Sequence, residues 1–309
     1  MNEPKYILLG GNGYFGRNFQ YYLSKLNKYF IVIDKNEIDY KFYSIELIKN
    51  HLIQYLQHDL NNKIDLNNID LNKDDKIIII NFAAISFVDY SILHPEETIN
   101  NNLNCCINGY KLFMNLKLNS LYIYISTDEV NVNKKFSELS PYVISKRKCE
   151  DFLKSLNNSS IIIYRPVNLM DVIDPMIKEL KQKNKCLLNK IVDVILNKSG
   201  CVQIHGTGEQ KRMFMTILNA CYILYNINAN GSNGIKIIDV TLTNKRTCDL
   251  KIKDIVLYLK NIYNFEIEYV KDPRSIYQDE TYLKSNNLLT NSYEDDLILI
   301  SKVIERLIK

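Results

Sequence analysis

A glycine run placed between an apolar stretch and a helical one does most to limit what this chain can fold into. Residues 5–9, Lys-Tyr-Ile-Leu-Leu, read as a short buried strand. Gly10-Gly11-Asn12-Gly13-Tyr14-Phe15-Gly16 follows at once, and Asn18 to Leu26 then reads as a helix. Glycines in such a turn let the backbone approach a pyrophosphate, which sits at the positive end of the helix. The run fits G-x-G-x-x-G through Gly11, Gly13 and Gly16, and G-x-x-G-x-x-G through Gly10, Gly13 and Gly16. Strand, glycine turn and helix in that order make the pattern a dinucleotide site. Gly10, Gly13, Tyr14, Phe15 and Gly16 are its candidate cofactor contacts.

A second strand, residues 30–33, ends in Asp34. A carboxylate about 20 residues beyond the glycines hydrogen-bonds the adenosine ribose and repels a 2′-phosphate, which favours NAD over NADP. Lys35 next to it keeps NADP open. Short β-branched or aromatic strands are expected at 5–9, 29–33, 54–57, 76–82, 121–126 and 160–164, and helices at 15–27, 44–51, 88–93, 95–118 and 141–156. Continuously apolar strands alternating with helices predict an α/β fold of Rossmann type, a doubly wound parallel sheet. After Asn168 the pattern loosens: 171–200 reads as helical and polar, 201–205, 235–241 and 266–270 as strands, and 249–263 and 294–308 as helices. Asp59 after the third strand either caps the adenine amino group, with Leu60 beside it, or forms an Asx turn.

Ser126-Thr127-Asp128-Glu129 and Tyr142-Val143-Ile144-Ser145-Lys146 carry the chemistry. A Tyr and a Lys four apart lie one turn from each other on a helix face. The ammonium is expected to lower the phenol's pKa, so that the phenol exchanges a proton near neutral pH. Ser140-Pro141 marks that helix's start. Oxidation of a sugar hydroxyl needs this pair but not two adjacent carboxyl groups. Asp128 and Glu129 suit a second proton transfer, such as elimination of water; the bland alternative is an acid pair at a helix N-terminus.

On these residues the chain resembles the extended short-chain dehydrogenases/reductases, and within them the nucleotide-sugar 4,6-dehydratases. The resemblance runs through most of the chain. Ala83-Ala84-Ile85-Ser86-Phe87-Val88-Asp89 is similar to that family's Ala-Ala-x-Ser-His-Val-Asp segment, and Asn102 falls at the family's helix Asn. Ser126 to Val130 matches the catalytic signature, and Pro141-Tyr142 through Lys146 the Tyr/Lys helix. Arg165-Pro166-Val167-Asn168 resembles Arg-x-x-Asn, and His205 to Arg212 the strand holding the substrate's nucleotide. The resemblance implies NAD, tightly bound and regenerated each turnover, held also by Ala83, Ala84, Asn102, Tyr142 and Lys146. It implies that Tyr142 takes the O4 proton, Lys146 holds the phenol partly ionised and binds the nicotinamide ribose, and Thr127 orients O4. Glu129 would remove the C5 proton and Asp128 protonate the leaving C6 hydroxyl. Ser86, Asn168, Lys190, Arg212 and Arg274 are candidate contacts to a nucleotide-sugar substrate; a guanidinium suits a diphosphate because it binds bidentately.

Departures from the family pattern predict a site reshaped around a different sugar. Phe87 stands for the usual His, Asn131-Val132 replaces Tyr-Gly, Cys105 stands for a Gly, and only fifteen positions separate Thr127 from Tyr142. The lead expectation is a UDP-linked hexose, UDP-N-acetylglucosamine first, with C5 inversion open; dTDP- or UDP-glucose is the alternative. The Thr-Asp-Glu set looks more like the glucose-type enzymes that retain C5. A 4-epimerase or 4-keto-reductase, or a non-catalytic nucleotide-binding regulator, are the other readings. The resemblance implies residues 1–167 plus 212–245 as the NAD-binding domain, and 168–211 plus 246–309 as a smaller C-terminal α/β substrate lobe. It also implies a homodimer through a four-helix bundle of 95–118 and 141–156.

Composition narrows the rest. With 39 basic against 35 acidic residues in 309, the charge is too balanced to argue for nucleic acid. Seven cysteines without Cys-x-x-Cys, and four histidines without metal spacing, predict reduced thiols and no metal. Neither a signal peptide nor a membrane-spanning run is read, so no membrane partner and a cytoplasmic location are expected. The Asn, Ile, Lys and Tyr bias fits an AT-rich genome such as that of a giant virus or a protozoan; a viral protein would act in host cytoplasm.

Overall fold

The computed structural model describes residues 3–37, 53–64, 69, 71–72, 75–116, 120–131, 138–156, 158–171, 187–198, 200–227, 234–240, 248–271 and 293–308. The helix expected at 44–51 and Arg274 lie outside them. The strands are β1 (Lys5–Leu9), β2 (Phe30–Asp34), β3 (Ile53–Gln57), β4 (Ile77–Asn81), β5 (Ser120–Ile125), β6 (Ile161–Arg165), β7 (Asn168–Met170), β8 (Cys201–His205), β9 (Lys211–Thr216), β10 (Lys236–Asp239), β11 (Cys248–Lys251) and β12 (Glu266–Val270). The helices are α1 (Tyr14–Lys25), α2 (Val88–Leu93), α3 (Pro95–Leu116), α4 (Pro141–Ser155), α5 (Leu187–Asn197), α6 (Ile217–Tyr225), α7 (Ile252–Tyr263) and α8 (Tyr293–Ile308), with a 3₁₀ turn at Asp128–Asn131.

The chain divides into two compact units. Unit 1 comprises 1–130, 139–165 and 221–239; unit 2 comprises 131–138, 166–220 and 240–309. Residues 131–138, 166–167, 212–220 and 240–245, expected with the cofactor domain, fall in unit 2. For β9 the reason is pairing: it bonds to β7 and β11 in a three-stranded sheet rather than joining the large one.

Unit 1 is built on a seven-stranded sheet in the order β10-β6-β5-β4-β1-β2-β3, every neighbouring pair parallel. This is the doubly wound sheet expected from the strand pattern. Its order reverses between β1 and β4, and in such sheets ligands bind beyond the C-terminal strand ends at this point. One face buries Ile7, Ile31, Ile79, Tyr122 and Ile163 against Cys106 and Leu112 of α3 and Cys149 and Leu153 of α4. On the opposite face Tyr6 packs edge-on to Phe19 of α1 and stacks on Tyr225 of α6. Cover on both faces explains why β1, β2 and β4 are almost wholly apolar.

Unit 2 holds the three-stranded sheet β11-β9-β7 and the parallel pair β12-β8. Ile191, Ile204, Leu250, Leu259 and Val303 lie in its core. Residues 249–251, expected as helix, are strand: Leu250 points into the core between Asp249 and Lys251, pairing with Arg212 on β9. The helix begins only at Ile252. Within 171–200, the helix among the described residues is α5. Cys105, Cys106, Cys149, Cys201 and Cys221 are free. Among the described residues no helix is long and apolar enough to cross a membrane, and no group of three or more His, Cys, Asp or Glu could hold a metal.

Candidate active site

The glycine turn joins β1 to α1. Gly10 has φ +68°, and its N–H donates to the Ile33 carbonyl at 2.8 Å. A Cβ there would stand 2.5 Å from the Ala83 Cα, so the turn lies flush against the chain leaving β4. A Cβ on Gly16 would overlap the Gly11 carbonyl, which requires close helix–turn packing. Gly13 differs: its Cβ would meet only the Gly10 oxygen, at 3.6 Å. Gly13 is also the N-cap of α1, without a side-chain cap. An uncapped helix start beside open space suits a pyrophosphate. Tyr14 and Phe15 form the first turn of α1, with the Phe15 ring edge-on to Phe82 at 5.1 Å.

Asp34, at the end of β2, is 5% exposed. Its Oδ2 accepts the Asn12 N–H at 2.9 Å, and its Oδ1 accepts the Asn36 N–H and Nδ2, each at 3.0 Å. Asn12 Nδ2 donates to the Tyr55 hydroxyl at 2.6 Å, and that hydroxyl donates to the Asn36 carbonyl at 2.5 Å. Burial, then the Asp34 charge, push the Tyr55 phenol up to about 12. Asp34 is thus locked in place by three residues that the sequence reading passed over; Asn12, inside the glycine run, was the one visible signal. Asp59 forms the Asx turn, its Oδ1 accepting the Asn61 N–H at 2.9 Å. Leu60 is buried, with its carbonyl accepting from Asn108 at 2.9 Å.

Beyond β4 the chain is pinned by buried amides. Asn81 Oδ1 accepts the Ala83 N–H at 3.0 Å, while its Nδ2 donates to the Tyr122 hydroxyl at 2.9 Å and the Cys105 carbonyl at 3.1 Å. Ala84 follows, partly buried. Asn102, expected to touch the cofactor, is 1% exposed and committed elsewhere. Its Oδ1 accepts the Ile85 N–H at 2.7 Å, and its Nδ2 donates to the Ile85 carbonyl at 3.0 Å and the Ser145 hydroxyl at 2.8 Å. Asn102 therefore positions the 83–86 segment and α4. Ser86 and Phe87 are exposed just before α2.

The five catalytic candidates meet where β5 ends and α4 begins. Ser140 caps α4 by accepting the Val143 N–H at 3.3 Å, with Pro141 opening the helix, which puts Tyr142 in the first turn. Thr127 is buried; its hydroxyl donates to Asp128 Oδ1 and accepts the Glu129 N–H, each at 3.3 Å. Asp128 is 1% exposed and Glu129 half-buried. The Lys146 Nζ is buried, donates to the Ile125 carbonyl at 2.8 Å and lies 4.9 Å from the Tyr124 ring centre. Burial lowers the Lys146 pKa, partly offset by neighbouring thiols and Glu150.

One expectation is reversed here. Tyr142's phenol is pushed up rather than down. Burial is the main cause, the Glu129 and Asp128 charges add to it, and a hydrogen bond with Thr127 pulls the other way. Lys146 stands 5.9 Å from the ring centre with its ammonium bonded to a carbonyl, so its influence does not prevail.

In unit 2, Asn168 Nδ2 donates to the Met213 carbonyl at 3.0 Å, and Arg212 Nη1 to the Lys211 carbonyl at 2.9 Å. Lys190 lies half-buried on α5.

The model of the GDP-mannose 4,6 dehydratase family matches residues 7–287. A dTDP-D-glucose 4,6-dehydratase of Dictyostelium discoideum is 27% identical over 252 residues, covering 69% of this chain. That match spans 52% of the relative, about half its length. A Streptomyces venezuelae dTDP-glucose 4,6-dehydratase solved with NAD and TYD is similar in fold, with TM-score 0.71, 17% identity, and 97% of this chain and 96% of that one covered. A Thermotoga maritima UDP-glucose 4-epimerase solved with UDP-glucose has TM-score 0.72 at 16% identity, covering 99% of this chain and 100% of the other.

Proposed function

The chain belongs to the GDP-mannose 4,6 dehydratase family, and from that premise we propose that it converts a nucleotide-linked hexose to the 4-keto-6-deoxy sugar. One observation carries this reading: an acid pair, Asp128-Glu129, acts electrostatically on the phenol of Tyr142, whose helix also carries Lys146. Oxidation and epimerisation at C4 need a phenol and a lysine. Elimination also needs a base for C5 and an acid for the departing C6 hydroxyl.

Tyr142 receives the O4 proton, and the Thr127 hydroxyl orients O4. The Thr127 hydrogen bond is the one influence favouring the phenolate. Glu129, the more exposed of the acids, would remove the C5 proton, and Asp128, almost wholly buried, would protonate the C6 oxygen; the difference in exposure supports this division of roles.

The fit of NAD to this chain rests on the Gly13 space and on Asp34. Gly10, Gly13, Tyr14, Phe15 and Gly16 would hold the pyrophosphate, Asp34 the adenosine ribose, and Lys146 the nicotinamide ribose. When bound, NAD supplies the acceptor for the C4 hydrogen and the donor that returns it to C6. A carboxylate fixed at the ribose position supports NAD over NADP. Cofactor regeneration in each turnover supports tight binding.

For the substrate we take a UDP-linked hexose, UDP-N-acetylglucosamine first. Phe87 in place of a His and the short stretch between Thr127 and Tyr142 support a bulkier C2 group. Asn168, Lys190, Arg212 and Arg274 are the proposed substrate contacts, and a homodimer through α3 and α4 is proposed from the family pattern.

The deciding experiment incubates the protein with UDP-N-acetylglucosamine, UDP-glucose and dTDP-glucose in deuterated water. Mass spectrometry and proton NMR should show loss of one water and deuterium at C5, with ring couplings giving the C5 configuration. No water loss from any of the three, with the protein folded and NAD bound, overturns the proposal and favours a 4-epimerase.

A further inference from the structure

Resting on the dehydratase reading, we infer that Glu150 is a positioning residue that registers the helix bearing Tyr142 and Lys146 against the strand end bearing Thr127, Asp128 and Glu129. Glu150 lies on α4, one turn beyond Lys146, and is 1% exposed. Its Oε1 accepts the Ser126 hydroxyl at 2.7 Å and Arg165 Nε at 2.8 Å. Its Oε2 accepts Lys154 Nζ at 2.8 Å and the Arg165 Nη2. Arg165, at the end of β6, donates in turn to Asp239 Oδ2 on β10 at 3.3 Å.

A carboxylate this deeply buried must have its charge and lone pairs matched. Burial would raise its pKa, but the hydrogen bonds from Arg165, Lys154 and Ser126 outweigh that and hold it below its ordinary value. Arg165 and Lys154 already balance the charge. The Ser126 hydroxyl balances nothing; it ties the carboxylate to the residue directly before Thr127. Ser126 is also bonded through its N–H to the Tyr164 carbonyl at 2.8 Å, so it is held where β5 gives way to the 3₁₀ turn. Glu150 thereby links the two halves of the catalytic set through one side chain.

This predicts that loosening the link harms turnover more than substrate or cofactor binding. The test compares NAD-loaded wild type, Ser126→Ala and Glu150→Gln. Ser126→Ala deletes one hydrogen bond and keeps both ion pairs, so folding should survive. Its kcat should fall roughly 10–100-fold, the scale of a small misplacement of reacting groups. Its KM and NAD content should stay within about twofold of wild type. Glu150→Gln should show the same signature with a lower melting temperature. Wild-type kinetics in Ser126→Ala, or a rate loss in Glu150→Gln that only follows its folded fraction, overturns the positioning role and leaves the dehydratase reading intact. A wild type that binds NAD but converts no nucleotide sugar overturns the dehydratase reading, and this role with it.

Discussion

The Lys146 ammonium lies 5.9 Å from the centre of the Tyr142 ring, and its hydrogen bond goes to the Ile125 carbonyl instead. The phenol therefore answers first to burial and then to Glu129 and Asp128, all of which favour its protonated form. A raised pKa leaves the phenol protonated at neutral pH, so its base form grows with pH. We expect kcat/KM, which reports the free enzyme, to rise with pH from about pH 6 to about pH 8 as the phenolate fraction grows. A plateau starting below about pH 8 would show that Lys146 dominates after all.

Glu129→Gln separates dehydration from other C4 chemistry. A positioned base is worth on the order of 10²–10⁴ in rate. Dehydration should fall by that factor while NAD content is unchanged, as measured by product mass spectrometry and cofactor extraction. Unimpaired turnover of a C4 epimer in this variant would point to an epimerase.

The glycines should not respond alike. Gly10→Ala forces a Cβ against the Ala83 backbone at φ +68° and should cost about 2–4 kcal/mol of stability. Gly13→Ala has room within the protein and should fold normally, but should weaken NAD binding by about tenfold or more by filling the space proposed for phosphate. Denaturant unfolding and NAD titration of both variants check this; equal loss of stability in the two would contradict it.

Tyr55→Phe deletes the hydroxyl shared by Asn12 and Asn36 and so frees the ring of groups around Asp34. Losing a pair of such bonds costs about 1–3 kcal/mol. We expect the NAD-over-NADP preference to drop about tenfold, read by parallel titrations with the two cofactors. An unchanged ratio would mean that Asp34 needs no support to select.

The central sheet was legible because its strands are uninterrupted apolar runs, and the glycine turn because its spacing demands a particular backbone. Thr127, Asp128, Glu129, Tyr142 and Lys146 could be picked out by type and spacing, and they lie on the β5 end and α4. Their electrostatics could not: spacing shows which residues share a helix face, whereas the Tyr142 pKa depends on how deeply the ring is buried and on the acids that face it from the turn after β5. The Asn102 contacts were hidden for the same reason, since Ile85 and Ser145 are distant in sequence. β11 was missed because four residues leading straight into a helix offer too little alternation to reveal a strand.

Unit 1 is assembled from three separate chain segments, and its edge strand β10 comes from the last, which begins at Cys221. During synthesis, then, the sheet must wait with β6 unpaired on its outer side until Lys236–Asp239 have emerged. An open strand edge invites pairing with other chains. Excising residues 1–165 alone would make that exposure permanent and would also strip Arg165 of Asp239. A minimal version of this unit has to carry 221–239 with it.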